Sequence, residues 1–193
     1  MNCGERPRRK RCKRLDVQYD AHYLTFSCFH RQPFLSGRHS PMWLLESLDE
    51  ARTNCPFELW AYVIMPEHAH VLILPGEGVT ISSILYAVKH PVTRRAVKWT
   101  ERNRPEFLEK LTERRPGGKV TRRFWQPGGG YDRNLRSTAD VHEKLRYIHA
   151  NPVRRGSVEH PSDWPWSSWR AWEEGVDDPI PIDRESFPPL QSV

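Results

Sequence analysis

The chain has 193 residues, 37% of them hydrophobic and 28% charged, which suits one domain with terminal extensions. Its formal net charge of +6 points to a polyanionic partner such as nucleic acid, against the plainer reading of a merely basic soluble protein. The cysteines (Cys3, Cys12, Cys28, Cys55) lack C-x-x-C spacing, no apolar run reaches membrane-spanning length and no apolar stretch follows the basic N-terminus. Zinc finger, disulfide scaffold, membrane span and signal peptide are therefore set aside, and a soluble cytoplasmic protein is expected.

Residues 1–16 form a basic arm with little to bury, expected to be disordered. The aromatic and β-branched run 22–29 reads as a strand. Residues 41–53 carry Trp43, Leu44, Leu45 and Leu48 at helical spacing, with Ser40 as a candidate N-cap. Runs 57–65 and 68–74 read as two strands of an antiparallel hairpin, broken by Pro66 and Glu67. A helix is expected over 80–99, kinked or interrupted at Pro91. Residues 102–118 are charged and less regular. The segment 137–151 reads as a helix capped by Ser137 or Thr138. After Pro152 the chain should turn irregular, and residues 161–193 form a Trp- and Pro-rich tail that packs on or extends a domain spanning 17–160. This order of elements predicts an α+β fold: an antiparallel sheet with helices packed on one face.

His68-Ala69-His70 stands in an apolar strand. Alternation sends both imidazoles to one face, roughly 6–7 Å apart along the backbone, close enough to converge on one ion. Taken alone, such a pair is better explained by two ordinary, partly buried histidines or a pair that hydrogen-bonds locally. Tyr147 and Asn151 lie four residues apart near a helix end and so share a face. Asn151 offers a carbonyl oxygen suited to Mg²⁺ or Mn²⁺, and Tyr147 a phenol able to attack phosphorus. Core packing is the competing reading for Tyr147. Arg154 and Arg155 follow the helix with guanidinium forks that match phosphate, and Lys144 and Arg146 add to the charge.

Met65-Pro66-Glu67-His68-Ala69-His70, Phe124-Trp125-Gln126, Tyr131-Asp132-Arg133, the run 147–156 (YIHANPVRRG) and Asp163-Trp164-Pro165-Trp166-Ser167-Ser168 together resemble the single-tyrosine HUH transposases. The likeness is to the REP-associated tyrosine transposases in particular, relatives of insertion-sequence transposases, and it covers residues 17–172. It implies a ferredoxin- or RRM-like fold, with His68 and His70 as the paired histidines and Ala69 between them. It makes Asn151 the third ligand of a Mg²⁺ or Mn²⁺ ion and Tyr147 the nucleophile. The implied substrate is single-stranded DNA with a hairpin, cut and rejoined through a 5′-phosphotyrosine, by a monomer or homodimer. Two departures stand out: Glu67 replaces the Asn or Asp more common before the first histidine, and Gly128, Gly129 and Gly130 lengthen the segment before Tyr131.

Candidate phosphate contacts are Arg122, Arg123, Arg133, Arg146, Arg154 and Arg155. Trp125 and Tyr131 are candidates for stacking on unpaired bases, with core packing an equal reading for Trp125. His149 is a candidate for proton transfer, weighed below packing or DNA contact. The alternative functions are a domesticated hairpin-binding protein that does not cut, a replication-initiator or relaxase nuclease, and an RRM-like RNA binder.

Overall fold

The computed structural model describes residues 20–190, so the basic arm at 1–16 lies outside the described residues. Apolar alternation builds β1 (Ala21–Ser27), β2 (Phe57–Met65) and β3 (His68–Pro75). With β6 (Tyr131–Leu135) they form a sheet ordered β2-β3-β1-β6, antiparallel throughout. Helix α1 (His39–Asn54) joins β1 to β2, and α2 (Ile81–Asn103) follows β3. The result is the ferredoxin-like β-α-β-β-α-β arrangement, with α3 (Thr138–Arg154) appended.

The helices occupy both faces of the sheet, which corrects the expectation of one. Leu44, Leu45 and Leu48 of α1 and Ile84, Val88 and Val92 of α2 pack on Leu24, Phe26, Ala69, Val71 and Ile73. Val141 and Ile148 of α3 cover the opposite face, against Tyr23, Ala61, Val63, Met65 and Leu72. Periodicity in a helix defines its apolar stripe, but not which side of a sheet receives it. The cap of α3 is Ser137, whose Oγ accepts from Asp140 N at 3.1 Å.

Other boundaries differ from expectation for local reasons. Helix α1 starts at His39, so Ser40 lies inside it and does not cap it. Helix α2 runs through Pro91 to Asn103, and α3 through Pro152 to Arg154. Each proline forgoes one N–H, a loss that packing of the flanking turns outweighs. The charged stretch after α2 holds a 3₁₀ turn (Pro105–Leu111) and a hairpin of β4 (Thr112–Arg114) and β5 (Val120–Arg122).

The tryptophan-rich segment covers the free edge of β2. Ile64 N donates to Trp166 O at 2.8 Å, and Ser167 bridges Val63. The Trp164 and Trp172 indoles donate to Ile64 O and Trp60 O at 3.0 and 2.9 Å. The short helix α4 (Trp169–Glu173) follows. These contacts satisfy backbone groups that an open sheet edge would leave to another chain.

Candidate active site

β3 lies inside the sheet, between β2 and β1. Its alternation gives Ala69 and Val71 to the α1–α2 core and turns His68 and His70 toward α3. Both histidines are buried, and their Nε2 atoms stand 3.0 Å apart. Each outer nitrogen is held by oxygen. His70 Nδ1 lies 2.7 Å from Tyr23 Oη and 2.8 Å from Thr25 Oγ1, and His68 Nδ1 lies 3.1 Å from Glu67 Oε1. A ring whose Nδ1–H is given to oxygen presents its Nε2 lone pair.

Burial pushes both imidazoles below their ordinary pKa. His70 falls to about 3, with positive charge at His68 and Arg155 adding to the effect. At His68 burial outweighs the opposing pull of Glu67. Both rings are therefore neutral at physiological pH, which is the ligating form.

Tyr147, Asn151 and Arg155 follow one another at four-residue steps along α3 and its C-cap, so they share a face. Tyr147 meets His70 edge-on, with ring centroids 5.7 Å apart, and Arg155 donates to Glu67 beside His68. Asn151 sits between these two contacts on the same helix face. It is only 4% exposed, and its Oδ1 has no hydrogen-bond partner among the described residues. A buried carbonyl oxygen without a donor is costly, and a cation would satisfy it. Two neutral imidazole nitrogens and an amide oxygen fit a divalent ion. Among the described residues no three His, Cys, Asp or Glu side chains gather into a metal site.

Cations surround the phenol. Arg154 lies 4.9 Å and Lys144 5.7 Å from the Tyr147 ring centroid. The Arg154 contact exists because α3 continues past Pro152. Arg146 is exposed on the same helix. Tyr131 is 54% exposed and edge-on to Tyr23 at 6.1 Å, so it borders the site. Arg133 is paired with Asp140 at 3.1 Å. Gly130 allows the close approach before Tyr131: its φ is +78°, and a Cβ there would lie 2.1 Å from Thr25 O.

Four further sequence candidates have definite places in the fold. Trp125 is 5% exposed, packed edge-on against Phe26 and Phe124 with its indole donating to Lys89 O at 3.0 Å. It is a core residue. Arg122 donates to Leu108 O at 3.1 Å and Arg123 to Glu113 at 2.7 Å, and both line a groove beside α2, on the face away from Tyr147. His149 is buried with Nε2 3.0 Å from Ser168 Oγ, and burial takes it down to about 4, so packing describes it better than proton transfer. Sequence reasoning missed Tyr23 and Thr25. Their signal was alternation in β1, but reading it required the register that pairs Thr25 with His70.

The fold and site define a ferredoxin-like domain with a paired-histidine strand facing a tyrosine-bearing helix. No protein-family model matches the chain. A Haemophilus influenzae protein with the provisional name REP-associated tyrosine transposase is 33% identical over 115 residues, 59% of this chain and 60% of that protein. The REP-associated tyrosine transposase of Escherichia coli K12 is 29% identical over 127 residues, 65% of this chain and 62% of that protein. The matched stretch thus spans about three-fifths of the length of these curated relatives. A solved REP-associated tyrosine transposase bound to a REP hairpin shares the fold over 90% of both chains, with TM-score 0.65 and 24% identity. The resemblance read from the motifs is borne out by these relatives, and the expected fold by the solved structure.

Proposed function

We propose that this chain is a single-strand DNA nuclease and strand transferase of the REP-associated tyrosine transposase kind, acting on DNA that carries a hairpin. The observation that carries the reading is the Tyr147 phenol beside His70, on the helix face where Asn151 keeps a buried, unpartnered carbonyl oxygen. A Mg²⁺ or Mn²⁺ ion held by His68, His70 and Asn151 would act as a Lewis acid on the scissile phosphate. Tyr147 Oη attacks phosphorus, its proton passing to solvent. The P–O bond to the 3′ oxygen breaks, and that oxygen takes up a proton. A 5′-phosphotyrosine and a free 3′-hydroxyl result. Because the phosphodiester energy is kept in the tyrosyl ester, a second 3′-hydroxyl can reverse the step on another end. Arg154 and Lys144 place positive charge where the phosphate must sit.

The reading is tested with a 3′-labelled single-stranded hairpin and Mg²⁺, Mn²⁺ or chelator. A covalent adduct should form only with metal, vanish in Tyr147→Phe, and drop at least about a hundredfold in the His68→Ala, His70→Ala double variant. An adduct that persists in Tyr147→Phe, or metal dependence unchanged in the double variant, contradicts it.

A further inference from the structure

On the face of the sheet away from Tyr147, the loop after β1, the start of α1, the end of α2 and the 105–111 turn enclose a groove of about 430 Å³. Its walls are rings. Trp43, Trp99 and Phe107 line it, with His39 6.1 Å from Trp43 and 6.0 Å from Trp99. Trp99 and Phe107 are 38% and 39% exposed, large apolar rings left open to water. The charged groups lining it are Arg38, Arg104 and Lys110, and no Asp or Glu lines it. Lys110 Nζ lies 4.6 Å from the Phe107 ring centroid, so cation and ring address the same space.

Flat aromatic walls with a cationic rim, in which Arg104 also pairs with Glu106 at 3.7 Å, suit a ligand that is planar and apolar on one part and anionic on the other. A hydrocarbon surface would not need the cations, and an acidic peptide would not need the rings. The basic N-terminal arm carries the rim's own sign of charge. We infer that this groove takes an unpaired nucleotide of a single DNA strand, its base on Trp99 and Phe107 and its phosphate among Arg38, Arg104 and Lys110. The inference rests on the proposed DNA substrate and adds where a single-stranded part of it is held.

The loop that forms the groove's wall is tied to the β2–β3 turn: Cys28 N donates to Glu67 O at 2.8 Å and Leu35 N to Pro66 O at 2.9 Å. A second groove, of about 400 Å³, shares Phe124 with the first and carries Lys89, Arg122 and Arg123. Gln126, one of its lining residues, donates its N–H to Ser27 O, and Ser27 is the register partner of His68. A strand leaving the site at the His68 end would follow positive charge into the ring-lined groove.

The test uses the full chain and two oligonucleotides, a blunt hairpin and the same hairpin with a short unpaired extension. With 5-iododeoxyuridine placed in turn along the extension, irradiation of the wild-type protein should cross-link one position to Trp99 or Phe107, read by peptide mass spectrometry. Trp99→Ala and Phe107→Ala should each lower the preference for the extended over the blunt hairpin by about tenfold. Cross-links that all fall outside the groove, or variants whose preference is unchanged, overturn the inference. Because the cross-link is read on the wild-type protein, misfolding of a variant does not obscure it. A tyrosyl adduct without any groove cross-link would refute the groove and leave strand cutting standing. A groove cross-link without any adduct would support the groove and refute strand cutting.

Discussion

The two faces of the sheet are made by the same strands and do different work. From β3, Ala69, Val71 and Ile73 enter a core with α1 and α2 made almost wholly of hydrocarbon. The other face takes His68 and His70, with Tyr23 and Thr25 from β1 and Tyr147 and Asn151 from α3. One face thus stabilises the backbone that holds the other's polar groups in place. Burial of the imidazoles and of the Asn151 oxygen is costly, and the apolar face offsets it.

This division predicts that substitutions on the two faces separate activity from stability. Tyr147→Phe should reduce strand cleavage about 10³-fold or more while leaving the urea midpoint nearly unchanged, measured on one preparation. Leu44→Ala, in the opposite core, should cost about 2–5 kcal/mol of unfolding free energy, with activity per folded molecule retained. Loss of both properties in either variant would break the division.

Acid sharpens the comparison, because His149 is buried on the α3 side. Burial holds His149 at about 4, below the ordinary 6.5. As pH falls below 6.5 the unfolded chain binds a proton that the fold refuses, so stability declines until His149 itself titrates near pH 4. The loss from this residue is about 3 kcal/mol, and His149→Gln should flatten the melting-temperature profile between pH 6.5 and 4. An identical profile in the variant would refute that assignment.

Glu67→Gln tests the contact from Arg155 through Glu67 to His68. Metal affinity by calorimetry should weaken about tenfold, with little change in melting. Smallest of all, Ser137→Ala removes the α3 cap and should cost about 1 kcal/mol in denaturant unfolding, without altering metal affinity.

Much of this arrangement was legible in the sequence. β2 and β3 carry near-continuous apolar runs, and α3 carries a clear helical stripe, so element types followed from periodicity. β6 was not legible: Tyr-Asp-Arg-Asn-Leu is polar on both faces and becomes a strand only by pairing with β1. The His68–His70 and Tyr147–Asn151 spacings each placed two groups on one face, yet nothing local says that the two faces meet. That depends on which side of the sheet α3 covers. Tyr23 and Thr25 were hidden for the same reason, since a strand hydroxyl acquires a role only through its cross-strand partner. Trp125 could be read as core or as a stacking platform, and its burial against Phe26 decides for core.

The most direct test of the central claim is to map the covalent DNA–protein bond. After reaction of a single-stranded hairpin with the protein and Mn²⁺, nuclease trimming and peptide mass spectrometry should find a nucleotide on the peptide containing Tyr147 and on no other. A nucleotide attached to another residue, or no attached nucleotide under conditions where the hairpin is cleaved, would contradict it.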